Sequence, residues 1–139
     1  MTTMIVGLKA NPAASSGGIA ELTTARYVWN RNVLADGDGI ATIELPGLDV
    51  SSIQGFKVYE SIKIYSDSAN DTIVTIYENE ASPQFFVGGS DQGNLNEWSE
   101  NPPLYTDKKL IIQWTGCVEG DTCFARIQFS EVVFVPVRV

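Results

Sequence analysis

Histidine is absent from the 139 residues of this chain, and cysteine occurs only twice. The lack of histidine removes the commonest general base and a frequent metal ligand. A nucleophile with its base would have to be serine–lysine or cysteine–carboxylate, and no spacing in the chain suggests either. Paired carboxylates are available, but in an acidic chain such pairs are expected by chance as solvated surface. No glycine-rich phosphate loop with a lysine is present. We therefore expect a protein that is not an enzyme and that binds no cofactor or metal.

Basic residues are also scarce, with nine lysines and arginines against seventeen acidic residues and a net charge of -8. A surface of this sign repels phosphate, and Lys108–Lys109 is the only basic pair, so we expect no direct nucleic-acid binding. No segment approaches the length of a membrane span, and the first ten residues lack the features of a signal peptide. The expected product is soluble and made in the cytoplasm.

The composition that remains, 44% hydrophobic and 19% charged, is typical of one globular domain. Apolar residues alternate in short runs separated by turn residues, and no amphipathic helix is evident. About eight or nine such runs predict an all-β, antiparallel β-sandwich. A jelly roll is the preferred architecture, and an immunoglobulin-like sandwich is the second.

The clearest alternation lies in residues 109–129. Ile112 and Trp114 share one face of the first run, and Ile127 and Phe129 share one face of the second. Pairing Trp114 with Ile127 and Ile112 with Phe129 brings apolar side chains together. The pattern therefore predicts a β-hairpin that contributes these four residues to the core.

The two cysteines flank the turn of that predicted hairpin. In its register Cys117 lies on the polar face and Cys123 on the apolar face, which favours free thiols. A bulge of one residue would bring both to the same side and permit a disulfide, whereas a cytoplasmic product keeps its thiols reduced. Two thiols without histidine leave a tetrahedral zinc ion under-coordinated.

Residues 25–35 and 40–45 predict two strands joined by an acidic turn. A calcium loop is the alternative for this turn, but it needs further oxygen ligands at regular spacing, and Ile40 lies two positions after Asp38. The pattern favours a simple turn.

Residues 56–78 predict a second hairpin, in which the even-numbered residues at 56–64 share one face.

Residues 88–103 form the longest polar stretch, and Trp98 lies in this predicted loop. Trp29, Trp98 and Tyr105 together suggest a sugar-stacking platform, as in carbohydrate-binding modules. The alternative is that Trp29 belongs to the core and that Trp98 is an interface anchor.

The two ends of the chain differ in composition. Residues 1–24 predict a short strand followed by a flexible arm of small residues, and residues 25–139 predict the β-sandwich domain. The arm is either a plain linker or a segment that lies on a neighbouring subunit. Residues 132–139 predict the last strand, which Pro136 restricts to an edge position or to the end of pairing.

The sequence LIIQWTG at residues 110–116, followed by ARIQF at residues 125–129, resembles the paired strands of jelly-roll decoration (cement) proteins of tailed bacteriophages. Small size, acidic balance and the small-residue arm agree with that resemblance. It implies a protein without an active site that sits on the outside of a phage capsid and bridges neighbouring copies of the major capsid protein.

The same resemblance implies a homotrimer that is made in the host cytoplasm and ends up on the virion. Contacts are expected from the arm, the long loop and the terminal strand. The candidate interface residues are Ile19, Leu22, Trp98, Tyr105 and Phe134. A carbohydrate- or receptor-binding module of a fibre or secreted protein is the alternative function.

Overall fold

A computed structural model of the chain describes residues 4–9, 19–48, 54–99 and 104–137. Within these segments the chain forms ten strands and one short 3-10 turn at Pro83–Phe85. The strands are β1 Met4–Lys9, β2 Ile19–Leu34, β3 Ala41–Leu45, β4 Gln54–Ser66, β5 Ile73–Glu78, β6 Phe86–Ser90, β7 Leu95–Trp98, β8 Leu104–Thr106, β9 Leu110–Thr115 and β10 Thr122–Val137.

The strands form two packed antiparallel sheets. Sheet A has the order β1-β2-β10-β4-β7, with β8 also pairing with β4, and sheet B has the order β3-β9-β5-β6. The last two strands take central positions in the two sheets: β10 lies between β2 and β4 in sheet A, and β9 lies between β3 and β5 in sheet B. This strand order is that of a jelly roll, which confirms the predicted fold class.

The core lies between the two sheets and contains the residues that alternation predicts. Ile112 and Trp114 of sheet B and Ile127 of sheet A are at most 1% exposed, and Phe129 is also buried. The indole Nε1 of Trp114 donates a hydrogen bond to the carbonyl oxygen of Gly93 at 2.9 Å. That bond satisfies the polar atom of the largest buried side chain, as burial requires.

The predicted hairpin at residues 109–129 is wrong. Strand β9 pairs with β3 and β5, whereas β10 pairs with β2 and β4, so Trp114 and Ile127 lie on the inner faces of opposite sheets. The connection crosses the sandwich as an arch, with Gly116 and Gly120 at positive φ. Alternation identifies which residues are buried, and an arch and a hairpin bury the same ones.

The expected separation of the cysteines is also wrong. Cys117 follows the positive-φ Gly116, which turns the chain after β9, and its side chain is buried together with that of Cys123. Both thiols are free.

The second predicted hairpin, at residues 56–78, fails for the same reason, since β4 belongs to sheet A and β5 to sheet B. Its common even-numbered face is wrong as well. Tyr59 pairs with Phe129 and Ser61 pairs with Gln128, so Glu60 is the extra residue of a β-bulge. The bulge reverses the parity of β4 at its middle.

The last predicted strand is the end of the longer β10. Beyond Phe134, which pairs with Gln54, β10 has only β2 as a partner among the described residues, and Pro136 pairs with Ala20 there. A proline without an N–H fits such a one-sided position, as predicted.

The predicted N-terminal arm falls largely outside the described part of the chain. Residues 19–24 belong to β2 and pair with β1, while residues 10–18 lie outside the described residues.

Candidate interaction surface

The alternation of buried and outward-pointing residues along β10 identifies the outer face of sheet A. Cys123, Ala125 and Ile127 are buried, so the residues between them point away from the core. Phe124 and Arg126 therefore lie on the outer face, in register with β4 on one side and β2 on the other.

The bulge at Glu60 decides what β4 presents beside them. Lys57 and Tyr59 point inward before the bulge, whereas Ile62 and Ile64 point inward after it. Lys63 and Tyr65 are consequently turned outward, where both are exposed. Without the extra residue, the two halves of β4 would not both bury their apolar side chains.

Apolar side chains lie in a row across one end of this face. Phe124 pairs with Tyr65, and Tyr65 pairs with Leu95. Leu34 lies on β2 opposite Thr122, next to Phe124 along the strand direction. Leu95 is 75% exposed, Leu34 is 64% exposed and Tyr65 is 46% exposed. We call Leu34, Phe124, Tyr65 and Leu95 the apolar row.

Two cations lie next to the apolar row, each two residues away along its strand. Arg126 pairs directly with Lys63, and Lys63 pairs with Glu97. Within the described residues neither cation forms an ion pair. Glu97 instead accepts a hydrogen bond from Ser61 Oγ at 2.7 Å. Like charges directly opposite each other in a sheet are unfavourable, so folding alone does not explain this pair.

In the middle of this face, the polar side chains form hydrogen bonds with one another. The carboxylate of Glu60 accepts from Arg26 Nη2 at 2.9 Å and from Ser130 Oγ at 3.1 Å. The Arg26 side chain is mostly exposed, so this ion pair adds little stability, but it holds the bulged residue in place.

A second group of aromatic residues lies at the opposite end of the same face. The rings of Phe56 and Tyr105 have centroids 5.6 Å apart, and Tyr105 is exposed. Val132, opposite Phe56, is buried, and Phe134 is half-buried further along β10.

Of the predicted interface residues, Tyr105 and Phe134 thus lie on the outer face of sheet A. The backbone of Ile19 and Leu22 belongs to β2, and their side chains are outside the described part of the molecule. Trp98 was predicted to lie in a loop, but it lies in β7, where it is half-buried and packs against the core.

The three aromatics of the sugar-stacking hypothesis do not come together. Trp29, Ile127, Ile62 and Trp98 form one continuous inner row across sheet A, so the two tryptophans lie three strand spacings apart, about 14 Å. Tyr105 lies on the outer face. Trp98 lines a cavity of about 110 Å³ together with Asn96 and Glu97, well below the size of ordinary small-molecule pockets.

Buried polar groups occur at the end of the sandwich near β8. Lys57 donates from Nζ to the carbonyl oxygen of Pro46 and lies 3.9 Å from the Glu131 carboxylate. Burial lowers the pKa of Lys57, and the negative charge of Glu131 opposes part of that shift. Burial and the same carboxylate raise the pKa of Tyr59. These residues connect the two sheets and lie on the inner side, away from the exposed face.

Sequence reasoning missed the apolar row and the cation pair because it assigned β4 a single parity. The signal was the adjacent polar pair Glu60–Ser61, which interrupts the apolar alternation at the position of the bulge.

Within the described residues, no group of three or more acidic or cysteine side chains is arranged to hold a metal ion, and no helix is long and apolar enough to cross a membrane. Comparison with protein-family models and with curated proteins yields no match to the chain.

Proposed function

We propose that this protein is a structural virion component that binds the outside of a phage capsid and stabilises it without catalysis. The observation that carries the proposal is the outer face of sheet A, where the apolar row adjoins the pair Arg126 and Lys63. The jelly-roll fold supports it, since such sandwiches also build viral capsid domains.

The apolar row supports docking because its members are contiguous. Single exposed apolar residues are ordinary on protein surfaces, whereas a connected patch marks a contact with another molecule. Phe124, Tyr65 and Leu95 are direct neighbours on three adjacent strands. A flat protein surface can cover them together.

The cation pair indicates the chemistry of the partner. A carboxylate placed between Arg126 and Lys63 relieves their mutual repulsion and gains a charge-assisted contact with each. The chain as a whole carries a net charge of -8, which repels an acidic surface. The proposed occupant is therefore an acidic patch of the major capsid protein, approached through this face alone.

In a symmetric oligomer, the same modest contact is repeated by every subunit. A homotrimer presents three such faces to neighbouring capsid subunits, and the linked contacts bind far more tightly than one. Light scattering on the purified chain tests this part separately. A mass of three chains supports the trimer, and a strict monomer removes it while leaving the docking face to be tested.

Co-sedimentation tests the function. Purified protein is mixed with expanded shells assembled from the major capsid protein encoded in the same genome. Binding that saturates at a fixed ratio to capsid subunits is expected. Absence of the protein from the pellet at every concentration overturns the proposal.

A glycan array distinguishes the alternative function, carbohydrate binding, from capsid decoration. Binding of a glycan by the wild-type chain, lost in Trp98→Ala, would favour a carbohydrate-binding module over capsid decoration. We expect no glycan to be retained, because the cavity beside Trp98 is small and Trp29 lies at the far side of the sheet.

A further inference from the structure

The two cysteines meet inside the arch that connects the sheets. Cys117 follows β9 of sheet B, Cys123 is the second residue of β10 of sheet A, and their Sγ atoms lie 3.8 Å apart. A bond between them would join the two sheets covalently at one end of the sandwich.

The arch is held in a shape that keeps the thiols together. The Cys117 N–H donates to the carbonyl oxygen of Gly39 at 3.0 Å, and the Gly120 N–H donates to that of Ala35 at 3.0 Å. The Asp121 side chain also accepts from the Val118 N–H at 2.7 Å. Hydrogen bonds to the connection between β2 and β3, and one within the arch, thus hold the segment that joins the two cysteines.

Other roles for the pair fit less well. Metal binding needs further ligands, and no suitable group of three side chains exists in the described part of the chain. A purely packing role is common for a single buried cysteine, but it does not require two sulfur atoms in mutual contact.

We propose that Cys117 and Cys123 form an intramolecular disulfide when the protein meets an organic disulfide such as oxidised glutathione. The sulfur atoms must approach from 3.8 Å to bonding distance, about 2.05 Å, by movement of the two side chains or of the arch that carries them. The inference is independent of the capsid function and applies to any setting outside a reducing cytoplasm.

The reaction balances in two exchange steps. The Cys117 thiolate attacks one sulfur of oxidised glutathione, and one glutathione leaves as thiolate. The Cys123 thiolate then attacks the Cys117 sulfur and displaces the second glutathione. The protein loses two protons and two electrons, and the glutathione disulfide is reduced to two glutathione molecules.

The environment of Cys123 sets the rate. Burial raises the pKa of Cys123 to about 12, and its thiol lies 3.5 Å from Ser66 Oγ. Thiolate is the reactive form, so closure is slow at neutral pH and faster at alkaline pH. Access also requires brief opening of the arch, so low concentrations of urea speed up the reaction.

Mass spectrometry tests the proposal. The reduced full chain is incubated with oxidised glutathione at mildly alkaline pH, then denatured and treated with an alkylating reagent. The expected product is a monomer that has lost two hydrogen atoms and takes up no alkyl group. Two alkylatable thiols, or glutathione retained on either cysteine, would overturn the proposal.

Two variants control for the oxidant. Cys117→Ser and Cys123→Ser cannot close the ring, so each is expected to retain one glutathione. Should either variant fail to fold, the wild-type chain still provides a second readout. Its Tm is expected to rise by about 5–10 °C on oxidation and to return on reduction. An unchanged Tm after the two thiols have been joined would contradict a disulfide that stabilises the fold by joining the two sheets.

Discussion

The indole of Trp98 occupies the space that a β-carbon on Gly88 would need. A β-carbon built there would lie 2.3 Å from Nε1 and 3.0 Å from Cε2 of the ring. Gly88 belongs to β6, the edge of sheet B, and Trp98 to β7, the edge of sheet A. Their close approach closes one side of the sandwich between two edge strands.

Replacing Gly88 with alanine should therefore destabilise the fold. The Trp98 ring must move away from the core, and overpacking of this kind costs about 1–3 kcal/mol in the free energy of unfolding. Urea denaturation followed by tryptophan fluorescence measures it. Gly37→Ala is the matched control, because its nearest neighbour is the Glu119 side chain at 3.9 Å. Equal stability of the two variants would contradict the packing described.

Tyr59→Phe should stabilise the protein. The Tyr59 ring is fully buried, and its hydroxyl has no hydrogen-bond partner among the described residues. Removing an unsatisfied buried hydroxyl recovers about 1 kcal/mol in the free energy of unfolding. Tyr105→Phe is the control, since that hydroxyl belongs to an exposed side chain and its loss should be neutral. A destabilised Tyr59→Phe chain would reveal a partner for the hydroxyl.

Stability should fall steeply at alkaline pH. The pKa of Cys123 rises from 9.0 to about 12 on folding, and burial also raises the pKa of Tyr59. Both groups hold their protons more tightly in the folded state, so they stabilise it fully below pH 9 and progressively less above it. Lys57, whose pKa is lowered, acts in the opposite direction below its ordinary value of 10.5.

The measurement is the free energy of unfolding of the reduced chain from neutral pH to pH 12. Cys123→Ala should have a shallower decline above pH 9, because one of the groups that loses its proton on unfolding is gone. Parallel curves for the variant and the wild-type chain would show that Cys123 does not titrate as its burial requires.

Arg126→Glu should leave the fold intact or make it slightly more stable. The substitution replaces the like-charge pair with Lys63 by an opposite-charge pair on adjacent strands, which is worth up to about 0.5 kcal/mol. Thermal unfolding of the variant and the wild-type chain measures the difference. A marked loss of stability would mean that Arg126 serves the fold and would weaken its assignment to a docking surface.

The sequence pattern predicts burial well and strand partners poorly. Ile112, Trp114, Ile127 and Phe129 are all core residues, as alternation predicts, because alternation is set by which face meets water. The choice between a hairpin and an arch depends on the direction in which the turn leads the chain. Gly116 and Gly120 at positive φ carry that information, and alternation does not.

The candidate surface was harder to predict because it depends on a single extra residue. The bulge at Glu60 turns Lys63 and Tyr65 outward, beside Arg126 and Phe124, and no period-two pattern includes such a shift. Trp98 was misplaced for a related reason, since its short strand β7 is surrounded by polar residues that resemble a loop.

The central claim is that the outer face of sheet A binds an acidic protein surface, and the affinity of Arg126→Glu for capsid shells tests it most directly. Lys109→Glu is the matched control, with the same change of charge at an exposed ion pair with Glu44 in sheet B. We predict that Arg126→Glu binds at least about tenfold more weakly than the wild-type chain, while Lys109→Glu stays within about twofold. Equal binding by all three proteins, or an equal loss in both variants, would contradict the claim.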